Sequence, residues 1–244
     1  MMAKEDKFKI AKRIVKIVNG KVPIMGNIIA NSYSEGTREL KAYEASGVDA
    51  IGVTPPLIYK YTNEGLVNYF TFLAKNTLLP IYIYNAPESG NKLSPELIIK
   101  LADENENIVG CKDSTQNIVE QQILIDGVKD MDKFELIAGS DAQIVSTMML
   151  GGTGVISLIS TLFPSLVVDT CEACRTECWK KAMALQQKIL RVRSILKTGP
   201  FMAAYKAVSH YTGQSFGCMK KPLAEVSEDE KDKIIEALKK EGIL

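Results

Sequence analysis

A chain of 244 residues with 46% hydrophobic and 24% charged residues can bury one well-packed core, and at this length an α/β protein need not divide into domains. Lys and Arg number 30 against 29 Asp and Glu, and the net charge of +1 gives no sign of a nucleic-acid or acidic-membrane partner. No run is apolar enough to span a membrane, MMAKEDKFK lacks the apolar centre of a secretory signal, and five cysteines fit a reducing compartment better than a disulfide framework, so the cytoplasm is expected.

In chain order, Lys4 to Val18 places Phe8, Ile10, Ala11, Ile14, Val15, Ile17 and Val18 at mostly helical spacing and stops at Asn19-Gly20. A short apolar run begins at Pro23, Ile24 and Met25 and gives way to the polar stretch IANSYSEG. Thr37 to Ala45 reads as a helix closed by Ser46-Gly47, and Ala50 to Thr54 as a strand stopped by Pro55-Pro56. The alternation then repeats: helix 63–75, strand 80–85, a helix opened by the capping pair Ser94-Pro95, strand 107–112, helix 118–128, strand 135–139, helix 142–150 and strand 154–158. Beyond Pro164 helical spacing takes over through Leu196, breaks at Thr198-Gly199-Pro200, and resumes over 201–211. A last helix over 227–242 starts with a capping box, Ser227 with Glu230. Six strand and helix units followed by helices predict an α/β fold with a parallel sheet. We expect residues 1–160 to form its (β/α) part and 161–244 to pack as helices on the same domain.

Two strand ends carry chemistry. Tyr84 closes one strand and Lys112 the next, with a helix between them, so in neighbouring parallel strands both emerge at the carboxyl end of the sheet, where α/β enzymes keep their sites. Desolvating a lysine ammonium favours the free amine, which attacks carbonyl carbon, and a nearby phenol can carry protons. The pair suits imine formation with a 2-oxo acid. The plain alternative is an ion pair of Lys112 with Asp113 or Glu135 and a packing role for Tyr84. Gly26-Asn27-Ile28-Ile29-Ala30 lacks the glycines of a dinucleotide loop. Cys171, Cys174 and Cys178, read as lying on one helix face, are small apolar residues at helical spacing more often than metal ligands. No cofactor and no metal are expected. His210, the lone histidine, has no candidate nucleophile beside it.

The sequence resembles the dihydrodipicolinate synthase and N-acetylneuraminate lyase family of class I, Schiff-base aldolases. The matching pieces are Tyr84-Asn85-Ala86-Pro87, the strand Ile108 to Ser114, Gly139-Ser140-Asp141, Gly151 to Ser157, and Lys221-Pro222-Leu223 before a last helix, all in family order. The resemblance implies a TIM barrel with C-terminal helices, a homo-oligomer (dimer or tetramer), and a pyruvate-like 2-oxo acid as substrate. It makes Lys112 the imine-forming lysine and Tyr84 the proton carrier, with Gly139, Asp141 and Ile156 lining the substrate pocket.

Three departures accompany it. Lys4 to Val18 matches the family's second helix, so the first two barrel strands and their carboxylate-binding loop have no counterpart, leaving six of eight units. Pro56 and Leu57 stand where the family has an aromatic pair, with Tyr59 and Tyr61 displaced nearby. Glu88-Ser89-Gly90 replaces the arginine-bearing loop, and no arginine occurs between Arg38 and Arg175. The expected activity is therefore that of a lyase or aldolase acting on a 2-oxo acid, the alternative being a noncatalytic paralogue with a structural or regulatory role.

Overall fold

The computed structural model describes residues 3–86, 90–200 and 202–244. Six strands follow one another in chain order in the sheet, β1 (Met25–Ile28), β2 (Ala50–Val53), β3 (Ile81–Asn85), β4 (Ile108–Asp113), β5 (Glu135–Ala138) and β6 (Gly154–Val155). The chain falls into two compact units, residues 1–139 with 150–153, and residues 140–149 with 154–244.

In the first unit β1 to β5 pair in parallel, each with the next. Helices α1 (Lys4–Val18), α2 (Tyr33–Glu44), α3 (Asn63–Ala74), α4 (Pro95–Glu104) and α5 (Ile118–Val128) precede or connect them. Side chains alternate along a strand, and here the alternation separates two kinds of residue. One face turns Ile28, Ile51, Val53, Ile83, Cys111 and Leu136 into the helices, each at most 1% exposed. The other turns Asn27, Tyr82, Tyr84, Lys112, Glu135 and Ile137 outward, all half-buried. Helix and sheet meet closely at Gly26, where a Cβ would lie 2.6 Å from the Tyr43 ring; the Tyr43 hydroxyl donates to the Asn27 carbonyl at 3.1 Å, and Phe8 of α1 packs edge-on against the same ring at 5.0 Å.

Helix α2 begins four residues before the expected Thr37. Ser32 caps it by accepting from the Glu35 N–H, and the Glu35 carboxylate accepts from the Asn31 N–H at 2.7 Å, a reciprocal cap inside a stretch that reads as a polar loop. Ser94, Asn117 and Thr62 cap α4, α5 and α3 by accepting backbone N–H groups of the first turn.

The second unit is mostly helical: α6 (Ile144–Met149), α7 (Pro164–Arg175), α8 (Trp179–Leu196), α9 (Ala203–Val208) and α10 (Glu228–Lys240), with single 3-10 turns at Asp141–Gln143, Ile159–Thr161 and Ser209–Thr212. Its core gathers Ile144, Ile159, Ile189, Val192, Val208 and Leu238, each fully buried. The Ser227–Glu230 capping box opens α10 as expected. Three expectations are corrected here. Strand β6 stops at Val155, so Ile156 to Leu158 are not strand. The long helical stretch is two helices, because Glu177 takes a left-handed conformation (φ 55) between them. Cys178 therefore lies in the break, exposed, while Cys171 and Cys174 on α7 are buried; the three thiols do not share a helix face, and among the described residues no group of three or more Cys, His, Asp or Glu is placed to hold a metal ion. Phe201, the expected start of the helix that is observed from Ala203, lies outside the described residues. Among the described residues no helix is long and apolar enough to cross a membrane.

The Gly26 contact yields a stability prediction. Gly26→Ala drives a methyl group into the Tyr43 ring and is expected to cost about 1–3 kcal/mol, the usual range for overpacking, read as a lower urea midpoint with an unchanged slope.

Candidate active site

The site is built by the pairing of β3 with β4. The register runs Ile81 to Ile108 and then Tyr82 to Gly110, a shift that sets two residues of β4 against one of β3. After the shift Tyr84 lies opposite Lys112 and Asn85 opposite Asp113. The alternation then divides the two pairs: Tyr84 and Lys112 are half-buried on the open face, and Asn85 and Asp113 are buried at 2% and 5% exposure beneath the helices.

On the open face the Lys112 Nζ sits 3.6 Å from the centre of the Tyr84 ring, within the range where a ring face attracts a cation. Neither neighbouring carboxylate pairs with Lys112. Asp113 points to the other side of its strand, where its Oδ2 accepts from Thr115 Oγ1 and from Gln121 Nε2, both at 2.9 Å. Glu135 accepts from the Tyr82 hydroxyl at 2.5 Å. The ion pair weighed from sequence is absent: among the described residues, Lys112 enters no salt bridge.

Beneath the helices, Asn85 acts as a clamp. Its side chain accepts from the Leu93 N–H and donates to the Leu93 carbonyl, each at 3.0 Å, and also donates to Asp113 Oδ1 at 3.4 Å. Asn85, Asp113 and Gln121 border a void of about 10 Å³ together with Pro95, Ile98, Glu120 and Leu124, on the helix side of β3 and β4 and away from Lys112. Burial, reinforced by the Asp113 charge, pushes the Cys111 thiol well above its ordinary value, so Cys111 is a core group. Gln121 and Thr115, which complete this network, carry no motif that marks them in the sequence.

Gly139 follows β5 and donates its N–H to the Asp113 carbonyl at 2.7 Å, while its own carbonyl accepts from Ser114 Oγ at 3.2 Å. A Cβ there would collide with the Ser114 hydroxyl and come within 2.7 Å of the Asp113 carbonyl. Tyr84, Lys112 and Gly139 thus lie on neighbouring strand ends of the first unit. Asp141 and Ile156 belong to the second unit. There the buried Asp141 carboxylate accepts a short hydrogen bond from the Ser157 hydroxyl, and the Asp141 carbonyl accepts from Gln186 Nε2 at 2.8 Å. Burial and the Asp141 charge push the Tyr205 phenol up to about 12. Ile156, beside Ser157, is exposed.

The loops nearby are tied by Asn91, whose amide donates to the carbonyls of Pro56 and Tyr59 at 2.7 Å and accepts from the Tyr61 N–H at 2.9 Å. Tyr59 is exposed and Tyr61 half-buried. Pro87 of the Tyr-Asn-x-Pro signature, and Glu88 and Ser89 of the loop after it, lie outside the described residues. His210 stands in a 3-10 turn and stacks on Tyr211 at 4.4 Å.

Comparison with known proteins agrees with this architecture. The model of the dihydrodipicolinate synthetase family matches residues 1–241. The chain belongs to that family. Relatives include a probable 2-dehydro-3-deoxy-D-pentonate aldolase of Escherichia coli, 32% identical over 98% of this chain and 81% of the relative, and a 4-hydroxy-tetrahydrodipicolinate synthase of Methanopyrus kandleri, 33% identical over 97% of this chain and 78% of the relative. Among solved structures, YagE of Escherichia coli in complex with pyruvate superposes with a TM-score of 0.93 at 25% identity, over 100% of this chain and 83% of that one. Dihydrodipicolinate synthase of Acinetobacter baumannii with pyruvate gives 0.92 at 29% identity, over 100% and 83%. The α/β fold of parallel strands and helices is that of this family.

The buried network predicts a large cost for its centre. Asp113→Ala strips the acceptor from Thr115, Gln121 and Asn85 at once and is expected to destabilise by about 3 kcal/mol, while Asp113→Asn, which retains the shape and part of the bonding, loses less. Urea unfolding of the two variants side by side reads the difference.

Proposed function

We propose that the protein is a class I aldolase or lyase that forms a Schiff base between Lys112 and pyruvate or another 2-oxo acid, and that it makes or breaks a carbon-carbon bond through the enamine. The observation that carries this reading is the Lys112 amino group held over the Tyr84 ring at adjoining strand ends, on the open face, with Asp113 and Glu135 both engaged elsewhere. Family membership supports it, as do relatives named for aldolase and synthase activities and two similar structures solved with pyruvate.

In this reading the neutral amine of Lys112 adds to the 2-oxo carbon, and the carbinolamine loses water to give the imine. For cleavage, the electron pair of the bond between the third and fourth carbons moves toward the imine nitrogen, leaving an enamine and an aldehyde. Tyr84 carries the proton that leaves the hydroxyl of the departing fragment and returns protons in the reverse direction. Protonation of the enamine and hydrolysis release the 2-oxo acid and restore the amine. No cofactor enters these steps.

Gly139, at the end of β5 in the same unit as Lys112, borders the substrate in this reading. It keeps the end of β5 close to that of β4; within the second unit, Asp141 fixes Ser157 next to Ile156. We further infer a homo-oligomer working in the cytoplasm, in keeping with five free cysteines.

The test is chemical. Incubation with pyruvate followed by borohydride is expected to attach a reduced three-carbon adduct to Lys112, located by peptide mass spectrometry, and Lys112→Ala abolishes it. Absence of adduct at saturating pyruvate refutes the proposal. Tyr84→Phe retains adduct formation but lowers kcat about a hundredfold, the lower end of general acid-base contributions.

A further inference from the structure

Three strands cooperate around a glycine just below the candidate site. Tyr82 of β3 lays its ring over Gly110 of β4, where a Cβ would come within 2.6 Å of the ring and 2.7 Å of the Glu135 carbonyl. Passing over that gap, the Tyr82 hydroxyl reaches Glu135 of β5 and donates to its Oε2 at 2.5 Å. Gly110 is the register partner of both Tyr82 and Glu135. Two residues further along the same strands stand Tyr84, Lys112 and Ile137, again in register. Glu135 is therefore the carboxylate on the Lys112 face, about 7 Å along the neighbouring strand by the strand rise. Tyr82, Tyr84 and Glu135 are the ionisable side chains that β3 and β5 turn to this face, and β1 and β2 turn none to it.

A free carboxylate at that distance lies within the reach of a lysine side chain, and an ion pair would hold Lys112 as ammonium, the form that cannot attack a carbonyl. We propose that Tyr82 is a positioning residue that ties the Glu135 carboxylate back from Lys112, so that the amine is left available for imine formation. The inference rests on the Schiff-base reading for its purpose, though its physical content concerns Lys112 alone. Burial, and then the hydrogen bond to Glu135, push the Tyr82 phenol up to about 12, so it stays protonated and donates throughout the working range. Gly110 fits the same arrangement, because any side chain there would lift the ring and break the reach to β5.

Two measurements on the full chain test it with Tyr82→Phe, Glu135→Gln and the double variant, each checked for fold by circular dichroism. The first follows acetylation of Lys112 by acetic anhydride against pH, read by peptide mass spectrometry, and needs no substrate. The second follows the borohydride-trapped pyruvate adduct against pH. Tyr82→Phe is expected to move both midpoints up by about one pH unit, an opposite charge brought near, so that reaction near neutral pH falls about tenfold. Adding Glu135→Gln returns the midpoints to the wild-type position, which repair of packing alone would not do. A Tyr82→Phe midpoint equal to wild type overturns the inference, as does a double variant that retains the full shift. If the wild type forms no pyruvate adduct, the Schiff-base reading falls while the acetylation arm still decides the role of Tyr82.

Discussion

Two-residue periodicity in paired parallel strands is the constraint from which the site follows. Once β3 and β4 are in register at Tyr84 and Lys112, the next pair, Asn85 and Asp113, must face the opposite way. One face receives a phenol and an amine with access to solvent. The other receives an amide and a carboxylate with access to helices α4 and α5. A slip by one residue would bury the lysine under the helices and expose the aspartate, so the apolar residues that fix the register, Ile81, Ile83 and Cys111, also decide which groups are available for chemistry.

The buried side of the pair carries most of the stabilising detail. Asp113 is a carboxylate at 5% exposure that holds four contacts, from the Thr115 hydroxyl and N–H, from Gln121 and from Asn85. A buried carboxylate is tolerated only when its lone pairs are answered. Because the donors come from β3, from the turn after β4 and from α5, answering them fixes three segments together at the strand ends. Asn85 extends the network into the segment before α4 through its two bonds to Leu93. The strand ends that carry Tyr84 and Lys112 are thereby held by polar groups facing away from them.

Much of this was legible in the sequence, and the parts that were not share physical causes. Apolar runs bounded by Pro, Gly or Asn located the strands, and α1 and α5 begin and end where the spacing placed them. Where a boundary depends on a side chain folding back on its own backbone, composition misleads. The Ser32 and Glu35 cap hides in a polar stretch, and the break before α8 turns on a left-handed Glu177 with no Gly or Pro to announce it. Tyr84 and Lys112 stood out because each closes a strand. Gln121, and Gln186 at 45 positions from Asp141, were invisible because their partners are supplied by the fold. The carboxylates next to Lys112 in sequence and in space were natural suspects for an ion pair, and only the pleat direction of Asp113 and the hydroxyl on Glu135 remove them.

Those two carboxylates are disposed of by different means, and the difference bears on how such a site can arise. Asp113 is removed by backbone geometry: as the next residue on the strand it cannot share a face with Lys112 whatever its partners are. Glu135 shares the face and can be removed only by a competing donor. Here that donor comes from β3, with β4 lying between, and the tyrosine spans the gap because β4 offers Gly110, a residue without a Cβ. Tyr82, Gly110 and Glu135 are thus coupled by length and space as a set of three. Loss of Tyr82, or a side chain at Gly110, leaves the Glu135 carboxylate in conflict with Lys112, so the polarity of this face depends on a steric condition at a glycine that performs no chemistry.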